Sequence, residues 1–153
     1  MFFNRQTSLR LHEEHLATVQ LWGRLEQALA ARLAEAEVLA LCRQCAAALG
    51  DEVSRHFGFE ERELFPRLAA AGEGDIAALL AEEHDAIRHA ADAFTAQVSS
   101  ATTVSAPLRT LGLELAERLV AHVQKEEMAL LPALEDLIDE ETDRELALAY
   151  AES

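Results

Sequence analysis

Apolar residues recur every three or four positions along most of this chain, the period of a helix with one buried face. Leu108, Leu111, Leu115 and Leu119 form one such stripe; Leu80, Ile87, Ala91 and Phe94 form a second, and Leu11, Val19 and Trp22 a third. No stretch shows the β-branched alternation of a strand. Interruptions are few. Ala71-Gly72-Glu73-Gly74 before Asp75 reads as a helix stop, a short loop and an N-cap. Ser99 to Ala106 is small and polar, and Pro107 suits the first turn of a new helix. A fainter break falls near Leu33 to Glu37. The pattern predicts four long helices, at 8–33, 36–70, 75–98 and 107–138, with a short acidic helix after Asp139. Short connections favour an all-α, up-down-up-down four-helix bundle, a single domain spanning 1–153.

The apolar stripes are not purely apolar. His122 and Glu126 continue the last stripe before Leu130 resumes it, His84 shares the face of Leu80 and Ile87, and His15 shares that of Leu11 and Trp22. The chain also repeats itself. The thirteen-residue pattern H-x-x-x-E-E-x-x-L-x-P-x-L begins at His56 and again at His122, and Glu13-Glu14-His15 is matched by Glu82-Glu83-His84. Each half therefore reads as one helical hairpin: E-E-H on its first helix, H-x-x-x-E-E on its second.

Residues four apart on a helix project side by side, which places His56 beside Glu60 and His122 beside Glu126. A residue five positions on is turned well away, so Glu61 and Glu127 are expected to face outward. Two hairpins then send His15, His56, His84, His122, Glu60 and Glu126 into one interior. Burying such groups without partners costs several kcal/mol each. A core histidine bonded to a glutamate is the ordinary explanation of a single pair. The duplicated set points instead to a pair of metal ions, each taking two histidines, with the glutamates bridging. The string His12-Glu13-Glu14-His15 has the wrong histidine spacing for H-E-x-x-H, and no E-x-x-H of the ferritin type occurs. Pro66 and Pro132 are expected to bend or end their helices.

The order H, H-x-x-x-E, H, H-x-x-x-E over four helices, with Leu64-Phe65-Pro66 and Leu130-Leu131-Pro132 after the E-E pairs, resembles the hemerythrin-like (HHE) family from about Leu9 to Leu137. That resemblance implies a non-haem di-iron centre, oxo- or hydroxo-bridged, with His15, His56, Glu60, His84, His122 and Glu126 as ligands. It implies binding of, or reaction with, O2, peroxide or NO, in oxidative-stress or iron homeostasis. A non-catalytic iron and oxygen sensor, or a helical module holding zinc or another cation, is the alternative. Ligand hardness alone also suits Mn or Zn. The oxygen-carrying members have a further histidine four residues past the third-helix histidine, where this chain has Arg88. They also have an aspartate where Glu127 stands. Reversible oxygen carriage is therefore not the expected activity.

Charge narrows the partners. Thirteen Lys+Arg against 28 Asp+Glu leave a formal charge of −15, which disfavours nucleic acid and anionic membrane surfaces. No apolar run reaches the length of a membrane span, and the opening MFFNRQTSLR lacks the apolar core of a secretory signal. A cytoplasmic location is expected, and no protein partner is implied. His12 is expected at the surface or behind the ligands, and His89 off the ligand face. Cys42, Cys45, Trp22, Phe59 and Phe65 are expected in the core, and the acidic stretch from Glu135 to Glu152 in solvent.

Overall fold

The computed structural model describes residues 3–31 and 33–153, and all the regular structure among them is helical. Helix α1 is Gln6–Ala30, and α2 starts with Glu35–Asp51 and runs on to residue 73. Helix α3 is Gly74–Ser100, α4 starts with Ala106–Lys125 and runs on to residue 137, and the short α5 is Glu140–Ala151. Helix α1 packs against α2 and α4, and α3 packs against the same two, so the four long helices surround a common interior. Among the described residues no helix is long and apolar enough to cross a membrane.

The helix ends follow their sequence signals with small shifts. Gly72 takes φ 95°, a left-handed conformation that a residue without Cβ adopts freely, and it makes the kink in the last turn of α2 that leads into α3. The N-cap position of α3 falls on Glu73 rather than Asp75, which instead lies in the first turn and meets the positive end of the helix dipole. Ser105 caps α4 by accepting the Leu108 N–H at 3.2 Å, with Pro107 just inside. Asp139 caps α5 in the same way through Thr142 N–H at 2.8 Å.

Pro66 and Pro132 do not end their helices. The turns before them, Glu60–Leu64 and Glu126–Leu130, widen to i→i+5 hydrogen bonding, and helix resumes across each proline. A proline has no N–H to donate and its ring crowds the carbonyl four residues back, so a widened turn lets the helix pass it without a break. These two turns begin on the two inward-facing glutamates, and α2 widens also at Glu52–His56 and Ala69–Glu73.

Most acidic side chains of the tail, including Glu140, Glu141, Glu145 and Glu152, are exposed as expected, but one face of α5 is buried. Asp143 is 4% exposed and Tyr150 3% exposed. The Asp143 carboxylate accepts the N–H groups of Gln6 and Thr7 at 2.8 and 2.9 Å, capping α1, whose own N-cap residue Arg5 makes no side-chain cap bond. A carboxylate at a helix N-terminus satisfies bare amides and meets the dipole together, so α5 closes one end of α1.

The interior has two apolar clusters. One gathers Trp22, Leu25, Cys42, Cys45, Phe57, Phe94, Leu115 and Leu119; the other gathers Leu11, Phe59, Leu64, Phe65, Leu80, Leu130, Leu134 and Tyr150. Gly112 lies at a tight approach of α4 to α1 and α3, since a Cβ there would meet Leu29, Phe94 and Leu25. Between the clusters sits a layer of buried polar groups.

Candidate metal centre

That layer consists of His15, His56, Glu60, His84, His122 and Glu126, each no more than 2% exposed. Helix α1 contributes His15, α2 His56 and Glu60, α3 His84, and α4 His122 and Glu126. All four imidazoles turn Nε2 inward. His15 Nε2 lies 2.9 Å from Glu126 Oε1 and His122 Nε2 lies 3.1 Å from Glu126 Oε2. His56 Nε2 is 3.3 Å from Glu60 Oε2, and His84 Nε2 is 3.2 Å from Glu60 Oε1 and 3.6 Å from Glu126 Oε2.

Two donor sets overlap here. His15, His56, Glu60 and Glu126 each offer one atom within 4.8 Å of the others, as do His84, His122, Glu60 and Glu126. Despite this crowding, Nε2 of His56, His84 and His122, both Glu60 oxygens and Glu126 Oε2 have no aligned hydrogen-bond partner. Buried polar atoms in native proteins are nearly always satisfied. Converging, unpartnered nitrogen and carboxylate oxygen atoms are the donors that first-row transition-metal ions take, so the residues fit a pair of such ions sharing two carboxylates.

The outer face of each imidazole is held by a second carboxylate. Nδ1 of His15 pairs with Glu127 at 3.0 Å, of His56 with Glu14 at 3.1 Å, of His84 with Glu61 at 2.7 Å and of His122 with Glu83 at 2.8 Å. Each glutamate comes from a neighbouring helix, so these bonds run α1 to α2, α2 to α3, α3 to α4 and α4 back to α1. An Nδ1–H given to a carboxylate leaves Nε2 as the free lone pair and fixes the ring plane. Beyond the carboxylates stands a further shell: Arg10 and Arg55 on Glu14, Arg88 on Glu61 in a two-bond fork of 2.7 and 2.9 Å, Lys125 on Glu83, and His12 on Glu127.

This corrects the expectation for Glu61 and Glu127, which face the histidines. Each is turned off the inner face of its own helix, as its spacing requires, and from there reaches a histidine on a neighbouring helix, Glu61 to His84 and Glu127 to His15. The duplicated E-E and E-E-H strings carried the signal, since the second Glu of each E-E and the Glu before each H make up the outer set. His12 stands behind His15 on Glu127, and His89 is exposed. Arg88 is engaged with Glu61.

Electrostatics follow from this crowding. Burial opposes charge on His15, but the hydrogen bonds it donates to Glu126 and Glu127 outweigh it and raise its pKa to about 9. His84 also reaches about 9, against its burial, through Glu126 and Glu60. His56 and His122 are likewise raised in spite of burial, by carboxylates that include Glu60 and Glu126 respectively. Glu126 is driven well below the usual carboxylate range despite complete burial, by His122 and then His15 and His84. Without a metal the layer thus draws in protons, and a cation binding there displaces them.

The aromatic walls are close. Phe57 stacks on His84 with centroids 3.8 Å apart, and Phe65 lies 5.1 Å from it. Tyr150, absent from the sequence-based candidates, donates its hydroxyl to Glu14 at 2.5 Å. A half-open cavity of about 340 Å³ between α3 and α4 touches His122, with Ala86, Ile87 and Ala121 in its wall. A search of curated proteins returned no match. The family model of the hemerythrin HHE cation-binding domain matches residues 8–134, a span that holds all six clustered residues, and the chain belongs to that family.

Proposed function

We propose that this protein is a non-haem di-iron protein that binds or reacts with O2, peroxide or NO, in oxidative-stress or iron homeostasis. His15 and His56 would hold one ion and His84 and His122 the other, with Glu60 and Glu126 available to both. The observation that carries this reading is the pair of overlapping donor sets sharing two carboxylates, with inward atoms that lack partners. When bound, a ferrous pair supplies electrons and open coordination positions to a small oxidant.

The chain's own residues set the conditions. Glu14, Glu61, Glu83 and Glu127 hold the imidazoles in one tautomer and orientation. Phe57, Phe65 and the flanking leucines keep bulk water from the layer. Arg88 stands where oxygen carriers have another histidine and is occupied by Glu61, which supports reaction or sensing over reversible oxygen carriage. Iron is preferred over manganese or zinc through family membership, since nitrogen and carboxylate donors suit all three. An up-down-up-down course of the helices, supported by their short connections, and a cytoplasmic location belong to the same reading.

The test is metal content with the visible spectrum of freshly purified protein, before and after dithionite and air. About two irons per chain is expected on the two-ion geometry, with bands that bleach and return, and His122→Ala should lose metal. Zinc or no metal in a folded protein overturns the iron reading, and unchanged metal in His122→Ala overturns the ligand assignment. The layer also joins all four helices between the apolar clusters, which favours a second use as a sensor whose stability reports occupancy. A large fall in Tm on chelation with negligible peroxide consumption would select that use.

A further inference from the structure

The outer carboxylates are alike up to their contact with the histidines and differ beyond it. Glu61, Glu83 and Glu127 are met by Arg88, Lys125 and His12, all on the four long helices. Glu14 is met in addition by Tyr150 from α5, beyond the residues the family model covers and the one tyrosine in the chain. Its ring packs 4.6 Å from Phe59 and lies beneath the Arg55 guanidinium at 4.5 Å. Its oxygen is 3.3 Å from His56 Nδ1. Glu14 Oε1 therefore takes donors from Tyr150 at 2.5 Å, Arg55 at 3.0 Å and His56 at 3.1 Å. Helix α5 is itself pinned by Asp143 to the first amides of α1, the helix that carries Glu14.

The geometry points to Tyr150 as a positioning residue for His56: by donating to Glu14 Oε1 it fixes that oxygen against His56 Nδ1 and aims Nε2 at Glu60, so the His15/His56 ion position depends on α5 while the His84/His122 position does not. This rests on the ligand set proposed above. Outer partners of metal-bound histidines typically govern about 10–100-fold in affinity, and a partner one bond further out falls at the low end.

The experiment uses the full chain and Tyr150→Phe, which keeps the ring on Phe59 and under Arg55 while removing the donor. Co2+ is titrated into metal-free protein against a competing chelator, and 15N spectra of the histidine rings are recorded without metal. Wild type is expected to take up two Co2+, and Tyr150→Phe to weaken one of them about tenfold and leave the other unchanged. The His56 ring nitrogens should shift while those of His84 and His122 stay. Glu14→Gln should act on the same ion more strongly. Unchanged affinities with unmoved His56 signals overturn the proposal. So does equal weakening of both ions with a lowered Tm, which would make α5 a structural strap only. A wild-type chain that takes up no Co2+ overturns the ligand reading and this proposal together, and the wild-type titration separates that failure from loss of the Tyr150 role alone.

Discussion

Glu61→Ala tests the outer carboxylates most directly. The substitution strands His84 Nδ1–H, whose acceptor lies 2.7 Å away, and frees Arg88 from contacts of 2.7 and 2.9 Å. His84 is fully buried, so its orphaned donor costs about 1–3 kcal/mol. Arg88 and Glu61 are each 31% exposed, and an ion pair that wet adds at most about 1 kcal/mol. The metal-free protein should thus lose about 2–3 kcal/mol, at the centre of that range. For a chain of this length, that corresponds to a Tm drop of about 4–12 °C. With the imidazole free to turn, affinity for a divalent ion should fall by about 10–100-fold. Arg88→Ala is the matched control. It leaves Glu61 on His84, so it should cost at most about 1 kcal/mol and barely change the metal affinity. Guanidinium unfolding of chelated protein and competitive Co2+ titration read the two effects separately. If Arg88→Ala costs as much as Glu61→Ala, then Glu61 serves Arg88 rather than the imidazole. Unchanged metal affinity in Glu61→Ala would remove the outer carboxylates from the site.

The histidine–glutamate pairs make stability depend on pH. His15 and His84 titrate at about 9 in the folded, metal-free chain against an ordinary 6.5, so their stabilisation is full below pH 6.5 and is lost as pH rises through 9. Glu126 acts in the opposite sense: its contribution is present above its ordinary 4.5 and fades as pH falls through its depressed folded value. The Tm of chelated protein should therefore decline between pH 6.5 and 9; a flat profile there would refute the pairing. Cys42 and Cys45 are fully buried, and burial pushes both thiols up, Cys45 to about 12. A thiol reagent at pH 8 should react with them only after unfolding, and fast native labelling would contradict their place in the core.

The inner layer was legible because i, i+4 spacing converts directly into side-by-side projection, and because the pattern occurs twice. His56 with Glu60 and His122 with Glu126 needed no more than helix geometry. Glu61 and Glu127 were illegible by the same rule, since it places a residue only against its own helix and each of these reaches the histidine of a neighbouring one. Pro66 and Pro132 were ambiguous as well, because a missing N–H can end a helix or widen a turn, and sequence alone does not choose between them. The role of α5 was hidden for a different reason. Its acidic composition reads as a solvated face, and although Asp143, Leu146 and Tyr150 recur at helical spacing, a lone leucine between a carboxylate and a phenol does not mark that face as buried.

These outer groups explain how a bundle interior tolerates the layer at all. Moving outward from Glu60 and Glu126, the order is carboxylate, imidazole, carboxylate, cation, so each buried group meets its electrostatic opposite on the next shell. The alternation is incomplete in one respect. The inner and outer glutamates outnumber the permanently charged Arg10, Arg55, Arg88 and Lys125 around them, so the layer is left short of positive charge. Protons on the histidines supply it in the metal-free chain, which is why His15 and His84 are raised to about 9. A pair of cations at the unpartnered inward atoms would supply it without protonating the ligands, and would satisfy Nε2 of His56, His84 and His122 together. The same arithmetic of charge that makes the layer costly when empty of cations therefore makes it selective for them over any neutral occupant.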